Sequence, residues 1–168
     1  MRRLDTDLYL ADPMKLWLTG VVLLCACGVE QSAPPPFYSP CDPVLLLPED
    51  ASSEELTSID GAIALWKEVG LDTFTTTAMD SASQVPVRFK DAPWNFHGVY
   101  EAGIVFINHQ LEGSERDITV AHELGHTLGL LHIPKEERIS VMNPGNLTVP
   151  PTPADLDDLR RQWGCPSP

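Results

Sequence analysis

The sequence predicts an α+β fold, an α/β sandwich in which a twisted mixed sheet is layered with helices. Three observations predict it. Short apolar or β-branched runs fall at Val44–Leu47, Thr73–Thr77, Val85–Phe89, Val99–Tyr100 and Gly103–Asn108, with strand-like lengths. Three stretches of helical signal lie between and after them, each opened by a cap pattern. The resulting order is strand, helix, several strands, helix, irregular loop and a last helix, which suits neither a bundle nor an all-β barrel.

Val44–Leu47, an apolar run between prolines, reads as a buried strand. The helix after it opens at a capping box, Ser52 with Glu55, in which each side chain can bond the other residue's backbone N–H. Leu56, Ile59, Ile63, Trp66 and Val69 follow at spacings of three and four, which predicts one core-facing stripe. Gly70 stands where the helix should end. Thr73–Thr77 and Val85–Phe89 read as strands. Pro86 lacks an N–H, so the second of these is expected at a sheet edge or to start late. Val99–Tyr100 and Gly103–Asn108 predict a hairpin through Glu101-Ala102. A second helix is predicted after Ser114, with Asp117 completing a capping pair. The third follows Thr152-Pro153, with Thr as N-cap and Pro at the first helical position; Leu156, Leu159 and Trp163 share a face.

At 168 residues the chain has room for one domain, and it carries no internal repeat. Its net charge is −13, with no cluster of Lys and Arg to meet phosphates, so nucleic acid is excluded as a natural partner. The acidic balance reads as a solvated exterior, and a monomer is expected. The one strongly apolar stretch, Leu16–Cys27, is shorter than the ~20 residues a membrane-spanning helix needs and has the length of a signal-peptide core. Lys15 flanks it, whereas Asp5, Asp7 and Asp12 are odd in a leader, which places the expected start of translation at Met14. Leu24-Cys25-Ala26-Cys27 resembles a bacterial lipobox, implying cleavage before Cys27 and lipid attached to its sulfur; a plain secretory signal is the alternative. The predicted organisation is therefore residues 1–27 as signal and lipobox, 28–40 as a flexible Pro- and Ser-rich tether, and 41–168 as the folded domain. The protein is expected to be exported, either held at the cell envelope by that lipid or secreted. Cys41 and Cys165 stand at the two ends of the domain, where an exported protein can pair them or keep two free thiols.

The informative stretch is Ala121–His132. His122 and His126 are four apart, so on a helix both rings leave the same side and can reach one zinc ion. Glu123 is turned by about 100° and stands beside the metal, placed to take a proton from a zinc-bound water. His132 lies six residues after His126, roughly 240° off on a continuing helix, and would face away. Gly129 is the residue that can end the helix and swing His132 back, because glycine enters the left-handed region without a Cβ penalty. Three neutral imidazoles leave a fourth position for solvent, which is the open arrangement of a catalytic zinc.

His122-Glu123-x-x-His126-x-x-Gly129-x-x-His132 resembles the metzincin signature, and Ser140-Val-Met142-Asn-Pro resembles the Met-turn that follows it. The domain looks most like a reduced matrixin catalytic domain. That resemblance implies a zinc-dependent endopeptidase with Glu123 as general base and Met142 as an apolar support beneath the histidines. It implies a sheet with an N-terminal helix, an active-site helix ending at Gly129, a Met-turn and a C-terminal helix over Ala154–Gly164. In matrixins the start of the domain packs near the last helix, which favours a Cys41–Cys165 bridge. Departures exist. No Pro-Arg-Cys-Gly-like inhibitory segment is present, and Ile133 replaces the usual small hydroxyl residue. Phe89–Ser114 is short for the family's structural zinc and calcium loops, so one catalytic zinc is expected, and His97 and His109 read as surface or hydrogen-bonded residues.

Two rivals stand beside this reading: a zinc-bearing domain that only binds a peptide or surface partner, and a hydrolase of non-peptide amides. An intact Glu123 favours catalysis, since a binder needs no base there. The prolines of Pro144–Pro153 are expected to shape the pocket wall, and Gly103–Asn108 or Val99–Tyr100 to offer an edge to an extended peptide substrate.

Overall fold

The computed structural model describes residues 37–80 and 82–165. The expected leader, lipobox and most of the tether lie outside the described residues. Eight elements follow in order: β1 (Val44–Glu49), α1 (Ser53–Glu68), β2 (Phe74–Thr75), β3 (Ser83–Lys90), β4 (Gly98–Glu101), β5 (Ile104–Asn108), α2 (Gly113–Thr127) and α3 (Pro153–Trp163). The strands form one mixed sheet in the order β2-β1-β3-β5-β4. All neighbours run parallel except β4, which lies antiparallel to β5 at the sheet's edge. The fold is α+β, as the order of sequence signals predicts.

Alternation along the strands builds the core. Val44 and Leu46, Val85 and Val87, and Val105 and Ile107 are fully buried, and Ile59, Ala62 and Trp66 of α1 with Val120, Ala121 and Leu124 of α2 complete the same cluster. The Trp66 indole N–H donates to the Ala121 carbonyl at 3.0 Å, tying α1 to the helix that carries the candidate site. The two helices approach closely at Gly61, where a Cβ would meet the Asp117 carboxylate at 2.9 Å.

Both predicted caps at Ser52 and Thr152 form as full capping boxes. The stripe on α1 is displaced, however. Its buried arc contains Glu55, Ser58, Ile59, Ala62, Ile63 and Trp66, and Leu56 sits at its flank, 42% exposed. At 100° per residue Leu56 lies about a quarter turn from the centre of that arc. Burial of Glu55 is what the apolar spacing could not foresee: its carboxylate meets His109 Nδ1 at 2.7 Å and Arg116 at 3.9 Å.

Three further expectations are corrected. β3 is the central strand of the sheet, not an edge, and it starts three residues before Pro86. Pro86 is tolerated because it pairs only with Leu47 of β1; the ladder to β5 begins one residue later, at Val87. The hairpin turns through Ala102-Gly103, with φ of +52° and +82°, a two-residue turn whose twist suits the strands it joins. The Ser114–Asp117 capping pair does not form. α2 begins at Gly113 after Glu112, without a side-chain cap, and Asp117 lies against α1 instead.

The chain ends of the domain are joined. Cys41 and Cys165 form a disulfide with Cα atoms 5.5 Å apart. Just before it the Tyr38 N–H donates to the Thr127 carbonyl at 2.8 Å, and its ring packs on the core, so the last residues of the expected tether lie along the domain. No helix among the described residues is long and apolar enough to cross a membrane.

Candidate metal centre

α2 holds His122 and His126 one turn apart and then stops. Gly129 takes φ +90°, its N–H donates to the His126 carbonyl at 3.0 Å, and the Leu130 N–H donates to the Gly125 carbonyl at 3.1 Å. This pair of bonds is the Schellman ending, which only a left-handed residue at this position permits. Beyond it the chain reverses, and His132 Nε2 comes to 3.1 Å from His122 Nε2 and 3.2 Å from His126 Nε2. A side chain at Gly129 would in addition stand 2.5 Å from Gln162 Nε2 of α3.

The donor set fits a zinc ion. His122 Nδ1 lies 2.6 Å from the Val141 carbonyl and His126 Nδ1 2.7 Å from the Leu130 carbonyl. A carbonyl can only accept, so each Nδ1 carries the proton and each Nε2 presents a bare lone pair. Convergent lone pairs repel unless a cation lies between them. Nitrogens bound tetrahedrally at ~2.0–2.1 Å from zinc stand about 3.3 Å apart, close to the spacing found here. Among the described residues these three histidines form the one such group of His, Cys, Asp and Glu donors.

Electrostatics agree. Burial, helped by the neighbouring His126, lowers the pKa of His122 to about 4 against the opposing Val141 hydrogen bond. Burial also lowers that of His126, with the Leu130 carbonyl opposing. Both rings are therefore neutral at physiological pH and able to ligate.

Glu123 is nearly fully buried beside them. Burial pushes its pKa up to about 8, and the Tyr100 backbone N–H of β4 works against that rise. Its Oε2 has no hydrogen-bond partner. A buried carboxylate oxygen left this way is costly unless a ligand uses it. A cation at the histidines would favour the charged form.

The Ser140–Asn143 turn underpins the site. Met142 is fully buried, and its Sδ would stand 2.6 Å from a Cβ at Gly125, so the bare helix backbone rests on the sulfur. Val141 supplies the carbonyl that orients His122, while its N–H reaches Asp155 Oδ2 at 3.3 Å and Ser140 Oγ donates to Asp155 Oδ1 at 2.5 Å. The Ile133 N–H donates to the Met142 carbonyl at 3.0 Å, pinning the loop that carries His132.

Two hollows flank the histidines along β4. One, about 230 Å³, includes Asn95, His97, Thr119 and Asn146; the other, about 310 Å³, includes Phe37, Val99, Leu130 and Leu131. Pro144, Gly145 and Asn146 of the proline-rich loop line the first. Strand β4, the neighbour of Gly103–Asn108, forms the edge.

The structure thus brings His122, His126 and His132 together with Glu123 beside them, turns the chain at Gly129, sets Met142 beneath the helix and joins Cys41 to Cys165. His97 and His109 are not brought together: His109 bonds Glu55 and His97 lines the cleft. Sequence reasoning missed Gly98, where a Cβ would stand 3.0 Å from Glu123 Cγ and Oε1, and also Gly125 and Phe37. It missed Asp155 too, although the Thr-x-x-Asp spacing of a capping box could have flagged that residue.

The family model described as Metallo-peptidase family M12B Reprolysin-like matches residues 47–149. No curated protein matches the chain. Among solved structures, high choriolytic enzyme 1, a hatching enzyme zinc-protease from Oryzias latipes (medaka fish), is similar at a TM-score of 0.50 and 14% identity, covering 79% of this chain and 94% of its own. At that identity the likeness bears on the fold. The matching family model is reprolysin-like, and the narrower matrixin likeness finds no support in it.

Proposed function

Because the chain belongs to the M12B reprolysin-like metallopeptidase family, within the metzincin-type zinc peptidases, we propose that it is an endopeptidase in which His122, His126 and His132 hold one zinc ion and Glu123 is the general base. The observation that carries this is the meeting of three imidazoles, with His132 Nε2 at 3.1 Å from His122 Nε2 and 3.2 Å from His126 Nε2, beside a buried, unpartnered Glu123 Oε2.

When bound, zinc supplies a Lewis acid that polarises the peptide carbonyl and makes an adjacent water more acidic. The protein does the rest. Val141 and Leu130 carbonyls fix the His122 and His126 rings in the tautomer that faces inward. Glu123 Oε2 takes the proton of the attacking water and passes it to the leaving amine. The Tyr100 N–H holds the carboxylate in place from β4. The outer edge of β4 offers backbone groups to an extended substrate, which would add as a further strand.

Zinc-dependent peptide hydrolysis implies peptide or protein substrates. We assign the catalytic domain to residues 41–168, and the disulfide supports an exported protein. A lipid on Cys27 would keep it at the envelope, and the mass of the mature N-terminus distinguishes that from secretion.

The test is Glu123→Ala. The variant should keep about one zinc per chain by elemental analysis while its kcat/KM on a peptide library falls ~10²–10⁴-fold. Unchanged cleavage would refute the role of Glu123, and a purified protein without zinc would refute the metal centre.

A further inference from the structure

We propose that Phe37, together with Leu131, is a specificity-determining residue that seats a large apolar side chain of the substrate on the His126 side of the metal centre; this rests on the zinc-peptidase reading above. Both side chains stand in solvent, Phe37 48% and Leu131 74% exposed. They line the same hollow as Val99 of the edge strand and as Glu123, His126 and His132. A peptide whose scissile bond lies at Glu123 therefore runs past them. The hollow on the other side holds Asn95, His97, Thr119 and Asn146, so the two halves of the cleft differ in chemistry. That hollow also holds Phe96 and Pro144 but mixes them with these polar side chains, so an apolar side chain loses water more favourably against the Phe37–Leu131 half.

Phe37 is fixed enough to select. Its neighbour Tyr38 is anchored by an N–H to the Thr127 carbonyl at 2.8 Å and by a ring packed on the core. Four residues after Phe37, Cys41 is bonded to Cys165. The Phe37 ring also lies over the turn that ends α2, its Cγ 3.5 Å from where a Gly129 Cβ would be. Phe37 precedes the family-matched segment 47–149, while Leu131 lies within it.

The experiment uses fluorogenic peptides in matched pairs, Leu against Ala at one position, scanned over three positions on each side of the cleaved bond. Wild type is expected to favour Leu by about tenfold or more at one position. In Phe37→Ala that Leu/Ala ratio of kcat/KM should fall to within about threefold, with bound zinc unchanged, and Leu131→Ala should move it the same way. A ratio that survives Phe37→Ala, an equal loss on both peptides, or a wild type with no such preference would overturn the proposal. Wild-type protein that binds zinc and cleaves no peptide would remove the peptidase reading itself, and the seat with it.

Discussion

Glu123 depends on a neighbour with no side chain. At Gly98 a Cβ would crowd Glu123 Cγ and Oε1 and Thr119 Cγ2 at 3.0 Å each, tighter than those atoms accept without moving. If Glu123 is the general base proposed above, displacing it by a few tenths of an ångström damages the reacting geometry more than the fold. Gly98→Ala should therefore keep its zinc and its melting behaviour while kcat/KM drops about tenfold; zinc analysis alongside steady-state kinetics checks this. At this scale the three histidines were legible, because a helical pair followed by a glycine stop and a third histidine is a local pattern. Gly98 was not, since its reason lies on a helix more than twenty residues away.

Helix α1 carries a pH-dependent element. Burial works to raise the pKa of Glu55, but the Ser52 backbone N–H, His109 and the Ser52 hydroxyl together outweigh it and leave the carboxyl below its ordinary 4.5. A carboxylate whose pKa is lowered by folding adds stability above the unfolded value, and that stability is lost as pH falls through the folded value. The stability advantage of wild type over Glu55→Gln should be full at pH 7 and shrink below about pH 4.5, as urea titrations at several pH values would measure. A constant gap across that range would show that the charge contributes nothing. Elements themselves were well foretold where the signals were local, as at the Ser52 and Thr152 caps and the Gly129 stop. They failed where partners override them: Ser114 lost its cap when Asp117 packed on Gly61, and Pro86 entered a central strand because one side of its ladder starts later.

On the scale of the whole molecule, the disulfide ties residues 124 apart and closes nearly all of the domain into one loop. Restricting the unfolded chain over so long a loop is worth up to about 5 kcal/mol by chain entropy, and losing a native bridge costs about 2–5 kcal/mol. Cys41→Ser with Cys165→Ser should lose about that much in denaturant unfolding, with the His122, His126 and His132 cluster unaffected because it lies on α2 and the loop after it. Equal midpoints for the two proteins would refute the estimate.

Periodicity, caps and the His-Glu-x-x-His-x-x-Gly-x-x-His spacing determined by themselves the α+β class, the three helices and the residues able to meet at one metal, because each depends on a few neighbours along the chain. Tertiary structure alone decided the strand order, the burial of Glu55, the room for Glu123 at Gly98 and the arrival of Phe37 at the cleft. Those are contacts between distant segments. Their energies arise only once the sheet and helices have closed on one another, and no local pattern encodes them.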